Sequence, residues 1–157
     1  MKEIAPPQPP DRLGPVALGL LRGHRARAPR HNPVRAFRAA LEARAGALVG
    51  RPLSVFHAYA FNTTRQLGAN FELLGSHLAW LGEAGAGDFA EAAEAATRLA
   101  GEAKAFQFQL ARAFHRRSAE GLGSRLDAAV ASYEAVFAAL DRALDRSMDR
   151  PRGSAPA

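Results

Sequence analysis

Apolar residues recur along this chain every three or four positions, which is the spacing of amphipathic helices, and no segment alternates as a β-strand does. Four stretches carry the pattern: residues 32–49, 53–81, 88–117 and 124–148. The third has the most regular row, and much of that row is alanine, so we expect a neighbouring helix to approach it closely. Its members are Phe89, Ala92, Ala96, Leu99, Ala103, Phe106, Leu110 and Ala113.

Residues that begin and end helices separate the four stretches. Asn32 is a good N-cap with a proline directly after it, and Pro52 is expected to open the second long helix in the same way. Asp88 is the predicted cap of the third. The second helix is predicted to end at Gly82 or in the glycine turn at 85–87, and the glycine turn at 121–124 ends the third. The connections are therefore short, which favours antiparallel neighbours.

The N-terminal third is less regular. Residues 1–10 hold four prolines and are predicted to be a disordered lead-in. Residues 13–21 are apolar but interrupted by glycine and proline, which predicts one short helix, with a basic loop over 22–31. The tail over 150–157 is predicted to be disordered. The sequence therefore predicts an all-α fold, an antiparallel bundle of four main helices plus a short N-terminal helix, as a single domain over 11–149.

The composition excludes several classes of protein. Among 157 residues there are 36 alanines, 19 arginines, two lysines and no cysteine. A chain of this length can bury a substantial core. Without cysteine, it holds no disulfide scaffold, zinc ribbon or thiol nucleophile. No apolar run approaches the roughly 18–20 residues of a membrane span, and the start lacks the order of a secretory signal, so we expect a cytoplasmic protein.

The net charge of +6 is concentrated near the N-terminus. Residues 1–52 carry ten basic against three acidic residues, whereas residues 53–157 carry eleven against twelve. A basic arm can neutralise phosphates, but Phe37 is the only aromatic residue in its densest part, so no platform for stacking bases is visible. We therefore expect a solvated linker and helix face rather than a nucleic-acid site.

The polar face of the second long helix is unusual because amides and imidazoles replace most of its charges. It carries His57, Asn62, Gln66, Asn70 and His77. Arg65 and Glu72 are seven residues apart, two turns along one face, where they could flank a shared partner. The first interpretation is a polar network that fixes helix register inside the bundle, since buried amides must find hydrogen-bond partners. The second is a groove that contacts a partner domain or a ligand.

The third long helix has a polar group of its own. Lys104 and Gln107 lie among phenylalanines, and Lys104 is the only lysine after Lys2. The ordinary explanation is one surface lysine in an arginine-rich chain. The specific alternative is a salt bridge between Lys104 and Glu72 inside the bundle, because lysine fits a tighter space than arginine.

Several chemistries are excluded by spacing. No Glu is followed by His three residues later, as a di-metal helical bundle needs, and the five histidines include no i, i+4 pair. There is neither a phosphate-binding Gly-x-x-x-x-Gly-Lys-Ser/Thr motif nor a Gly-x-Ser-x-Gly nucleophile turn. We therefore expect no metal, no cofactor and no catalytic residue in this chain.

Several motifs nevertheless resemble a known family. They are residues 32–37 (NPVRAF), 56–69 (FHAYAFNTTRQLGA), 71–73 (FEL), 80–81 (WL) and 103–108 (AKAFQF). Together they resemble the C-terminal helical half of a bacterial family, domain of unknown function 1839. The resemblance spans about residues 12 to 145, with the segment from Tyr59 to Leu73 the most specific.

This resemblance implies a partner. Family members are about twice this length, and their N-terminal half looks like a cysteine-peptidase-like acyltransferase domain. They tend to be encoded near amino acid:carrier-protein ligases, which implies work on an aminoacyl group held by a carrier protein. This chain has no cysteine. Under the resemblance, this chain therefore corresponds to the helical half without the catalytic one. The resemblance then implies that five polar residues pack against the acyltransferase-like half or complete its pocket: His57, Arg65, Gln66, Glu72 and Lys104.

Three hypotheses about function remain open. The main one is a non-catalytic helical interaction module, the accessory half of a carrier-protein-dependent acyltransferase-like protein, whose partner is the catalytic half or a carrier protein. The alternative is a helical small-ligand-binding or enzyme domain that uses Arg65, Glu72 and Lys104. A weaker alternative is a surface-binding bundle like the phasins. Alanine-rich helix faces often pack against second copies, so a homodimer is also compatible with the sequence.

Overall fold

A computed structural model describes residues 8–148 of the chain, which are mostly helical with no strand among them. The helices are α1 (Pro10–Arg27), α2 (Pro33–Val49), α3 (Leu53–Ala60), α4 (Gln66–Glu83), α5 (Ala90–Arg116) and α6 (Asp127–Met148). A π-helical segment, Phe61–Arg65, joins α3 to α4 without a break, and a short 3-10 turn, Ser124–Leu126, leads into α6. The all-α prediction is therefore confirmed. The disorder predicted for the two ends concerns mainly residues outside the described range.

The helix boundaries follow the local signals in the sequence. Asn32 Oδ1 accepts hydrogen bonds from the amides of Val34 and Arg35, at 2.9 and 3.2 Å, as the predicted N-cap should. The N-cap of α5 is Phe89, one residue later than predicted, but Asp88 Oδ1 still accepts from the amide of Ala90 at 3.2 Å. The carbonyl of Pro52 accepts the first backbone bonds of α3. These caps satisfy amides that a helix start otherwise leaves without partners.

The core forms around α5, which packs against α4 on one side and α6 on the other. Every member of the apolar row predicted for this helix is buried. The contacts are antiparallel, because Gly68 lies against Ala100 and Ala103, whereas Gly75, later in α4, lies against Ala93. The absence of side chains at the two glycines lets α4 approach α5 closely, as the alanine-rich row predicted.

The π-helical segment was not predicted, since the pattern indicated one uninterrupted α-helix from 53 to 81. Its two threonines donate hydroxyl hydrogen bonds to carbonyls four residues earlier, Thr63 to Tyr59 at 2.6 Å and Thr64 to Ala60 at 3.1 Å. Thr64 is 2% exposed. Each hydroxyl thus gives a hydrogen-bond donor to a backbone carbonyl at the point where the helical turn widens.

The N-terminal helix is longer than predicted. The sequence indicated a short helix over 13–21 and a basic loop over 22–31, but α1 runs for 18 residues and ends at Arg27. Contacts with the rest of the fold outweigh its glycines and its internal proline. Leu18 and Leu21 are buried in a second part of the core, and Arg22 donates to the hydroxyl of Ser147 at 2.8 Å. The predicted basic loop is therefore wrong for residues 22–27 and confirmed for residues 28–31.

The basic residues of the N-terminal third form ion pairs with α6. Arg25 binds the carboxylate of Asp141, Arg35 pairs with Glu134, and Arg38 pairs with Asp127. The sequence predicted that these basic residues lie on a solvated linker and helix face. The structure instead uses part of it to join α1 and α2 to α6, where opposite charges meet.

Candidate functional site

An open depression on the surface between α4 and α5 gathers four of the residues that the sequence selected. Its lining is Arg65, Gly68, Ala69, Glu72, Lys104 and Gln107. The volume of the depression is about 300 Å³. Arg65 and Glu72 stand on the same helical face two turns apart, as their spacing predicted, and α5 supplies the other two polar groups. We call this feature the α4–α5 depression.

An ion pair crosses the depression. Lys104 Nζ lies 3.0 Å from Glu72 Oε2, and each side chain is 58% exposed. The alternative interpretation, a salt bridge with Glu72, is therefore confirmed, but its place inside the bundle is wrong, because Lys104 is a surface lysine as the ordinary explanation held. Small residues fill the contact between α4 and α5, so the longer side chains extend over the edge toward solvent. A pair this exposed contributes little to stability and leaves both groups accessible to a partner.

Gly68 determines the shape of the depression. A Cβ atom at this position would lie 3.5 Å from both the carbonyl oxygen of Ala100 and the Cβ of Ala103. The two helix backbones therefore come close together here, and Ala69 beside it adds only a methyl group to the surface. Charged side chains consequently surround a shallow hollow instead of a ridge.

The amide stripe does not form the buried polar network that was our first interpretation. Asn62, Gln66 and Asn70 are all exposed on the outer surface. Their interpretation as register-fixing buried groups is wrong, because the π-helical segment and α4 bury the opposite face, with Thr64, Gly68 and Phe71. The four-residue spacing was read correctly, but spacing alone does not say which face meets the core.

The two predicted histidines lie apart from the depression and from each other. His57 is exposed, with its ring centroid 5.2 Å from that of Phe56. His77 is half-buried, and its ring stacks on Trp80 with centroids 5.9 Å apart. Of the nine candidate residues, the structure therefore brings together Arg65, Glu72, Lys104 and Gln107.

Sequence reasoning missed two small residues and two large ones. Gly68 and Ala69 were detectable, since they share the helical face of Arg65 and Glu72. Leu73 and Phe108 are large apolar side chains left exposed, each one turn beyond a lining residue. Apolar side chains beside charged ones are typical of a surface that binds another molecule.

A second cavity lies between α2 and the π-helical segment. Its volume is about 200 Å³. It is lined by Pro33, Val34, Phe37, Thr63, Thr64 and Leu67. The hydroxyls of both threonines are already committed to backbone carbonyls, so the cavity offers mainly apolar surface.

Within residues 8–148, no group of three or more histidine, aspartate and glutamate side chains is placed to hold a metal ion. In the same range, no helix is both long enough and apolar enough to cross a membrane.

The fold and this site define an all-helical module with an open, charged depression between two closely packed helices. Residues 11–142 match the family model described as the DUF1839 C-terminal domain, so the chain belongs to that family. This confirms the resemblance drawn from the motifs. No curated protein and no solved structure matches the chain.

Proposed function

We propose that this chain is a non-catalytic helical interaction module that serves as the accessory half of a bacterial, cytoplasmic DUF1839 protein. The description of the matching family as a C-terminal domain supports the presence of another domain ahead of it in such proteins. In this proposal the α4–α5 depression contacts that N-terminal domain or completes its pocket.

The proposed scaffold is an antiparallel bundle of α2, the continuous α3–α4 helix, α5 and α6. Three sets of contacts support it. Arg35 and Arg38 of α2 pair with successively earlier positions of α6. Glu91 and Glu102 of α5 likewise contact successively earlier positions of α6, and the close packing of α4 on α5 is antiparallel too. Such a scaffold holds the depression on rigid helices, as a binding surface requires.

The observation that carries the proposal is the convergence of Arg65, Glu72, Lys104 and Gln107 around one open hollow. These side chains supply both signs of charge and an amide. Complementary charges steer a partner and fix its register. The exposed Leu73 supplies apolar surface next to them, and apolar burial provides most of the free energy of association.

The same lining favours binding over catalysis. Its side chains are a guanidinium, a carboxylate, an ammonium and an amide around glycine and alanine. Lys104 is 58% exposed beside Glu72, so it lacks the apolar burial that activates a lysine nucleophile. We extend the proposal to an acyltransferase-like partner domain that acts on carrier-protein substrates, which rests on the family resemblance.

Affinity purification from the native host tests this function. The chain serves as bait in three forms: wild type, Arg65→Ala and Arg142→Ala. Arg142 is the matched control because it is likewise an exposed arginine on a helical segment, and it pairs with Glu91 away from the depression. Mass spectrometry is expected to identify a protein with N-terminal DUF1839 sequence, or a carrier protein, with the wild type and the control.

We expect Arg65→Ala to reduce the yield of that partner about tenfold, as loss of an interface arginine often does. Equal yield of the partner from Arg65→Ala and wild type would show that the depression is not part of the interface. The absence of both partner classes from every purification would contradict the proposed function itself.

A small-ligand site is the second candidate, because the three residues it requires do surround an open hollow. Two cations against one carboxylate favour an anionic ligand. Thermal unfolding with inorganic phosphate and with acetate tests it, using Lys104→Gln as the comparison. A rise in melting temperature that the variant abolishes would support this candidate, and equal behaviour of both proteins would reject it.

A further inference from the structure

An exposed apolar stripe runs along the outer side of α1. Leu13, Val16 and Leu20 are 39%, 60% and 62% exposed. They are three and four residues apart, so they lie on one face of the helix as neighbours. The other exposed large apolar side chains of the described chain belong to different helices: Leu53, Leu73, Phe108 and Met148.

The opposite side of α1 is firmly attached, so the exposure of the stripe is a property of the folded state. Leu18 and Leu21 are buried against α4 and α6. Arg25 forms two hydrogen bonds with Asp141, at 2.6 and 2.8 Å. A Cβ atom at Gly14 would lie 3.3 Å from the carbonyl oxygen of Ala84. The helix therefore cannot turn the stripe inward without losing these contacts.

Three adjacent aliphatic side chains held in water lose the free energy that burial would supply. Covering each of them would recover part of the free energy of burying an aliphatic side chain. Apolar side chains scattered singly over a surface need no explanation, whereas a continuous row marks a place where another surface packs.

We propose that Leu13, Val16 and Leu20 form a second contact of this module, separate from the α4–α5 depression, with the N-terminal domain of a DUF1839 protein. This inference rests on the proposed function. The family match begins at residue 11, two residues before Leu13, so in proteins of the family the preceding domain joins the chain beside the stripe. A domain attached there meets the stripe at high effective concentration.

Charge also favours that domain over a second copy of this chain. The helix carries four arginines against one acid, Asp11. Arg12 and Arg27 are exposed at its two ends. The complementary surface is therefore apolar with an acidic rim, and two basic helices placed together would repel each other.

Photo-crosslinking in the native host tests the contact with the whole chain. A benzophenone amino acid replaces Val16 in one protein and the equally exposed Leu53 in a matched control. We expect position 16 to crosslink to a polypeptide with N-terminal DUF1839 sequence and position 53 not to. Adding Leu20→Gln to the position-16 protein should reduce that crosslink about tenfold, since it places a polar amide where the partner would cover an aliphatic side chain.

Three results would overturn the inference. They are a crosslink from position 16 to a second copy of this chain, a crosslink to residues 1–7 of the same chain, and equal crosslinking from positions 16 and 53. If affinity purification yields the N-terminal domain while position 16 does not crosslink to it, the inference fails and the proposed function stands. If purification yields neither partner class, both fail.

Discussion

Arg25 on α1 donates two hydrogen bonds to the carboxylate of Asp141 on α6, from Nε to Oδ1 at 2.6 Å and from Nη2 to Oδ2 at 2.8 Å. The same guanidinium lies 5.0 Å from the ring centroid of Phe137. The hydrogen bonds to Asp141 raise the pKa of Arg25. A bidentate pair fixes the relative orientation of the two side chains as well as their distance, so it holds α1 in one orientation on the fold.

This pair is expected to stabilise the protein measurably. In a double-mutant cycle with Arg25→Met and Asp141→Asn, we expect a coupling energy of about 1 kcal/mol, the upper end for partly exposed pairs. Chemical denaturation measures it. The cycle of Arg142→Met and Glu91→Gln is the control, and its coupling should be below about 0.5 kcal/mol because that pair has one hydrogen bond and greater exposure. Equal coupling in both cycles would contradict the assigned role of Arg25.

The close approach of α4 to α5 predicts a contrast between two glycines. Gly101 has open space around it, so Gly101→Ala should stabilise the protein by about 0.5–1 kcal/mol through helix propensity. At Gly75 a Cβ would lie 3.1 Å from Thr97 Oγ1 and 3.3 Å from the carbonyl oxygen of Ala93. Gly75→Ala should therefore be about 1 kcal/mol less stable than Gly101→Ala, because backbone must shift. Thermal unfolding of both variants decides, and equal stabilisation would refute the close packing.

The buried hydroxyl of Thr64 is expected to support the π-helical segment. Thr64→Val keeps the shape but leaves the carbonyl of Ala60 without this donor, which should cost about 1 kcal/mol of unfolding free energy. Thr97→Val is the matched control, since the Thr97 hydroxyl makes the same kind of bond, to Ala93, but is exposed to water. If both substitutions cost the same in denaturant titrations, burial of the hydroxyl has no special role.

The contact of α2 with α6 predicts an acid-dependent contribution to stability. Hydrogen bonds from Arg35 and then Asn32 lower the pKa of Glu134 below its ordinary value of 4.5. A depressed folded-state pKa stabilises the fold above the unfolded-state pKa, and the contribution is lost as the pH falls through the folded-state value. NMR titration should give a low pKa for Glu134 and a higher one in Arg35→Gln. An unchanged pKa in that variant would exclude Arg35 as the main cause.

Local sequence signals determined most of the helices. Asn32 and Asp88 offer side-chain oxygens to helix-start amides within three residues, so their effect needs no distant contact. The apolar row of α5 predicted its buried face because that helix has core neighbours on two sides. The ion pair of Lys104 with Glu72 was one of two interpretations of Lys104, and because it joins two helices, the packing of α4 on α5 decided it.

Distant contacts decided the remainder. Residues 22–27 are helical because Arg22 and Arg25 meet Ser147 and Asp141, more than a hundred positions away in the chain. The amide stripe of Asn62, Gln66 and Asn70 is exposed because packing against α5 selected the opposite face of the same helix. Spacing fixes which residues share a face, but only the burial of a whole face against another helix decides which side meets water, since that free energy comes from pairs of surfaces and not from one segment.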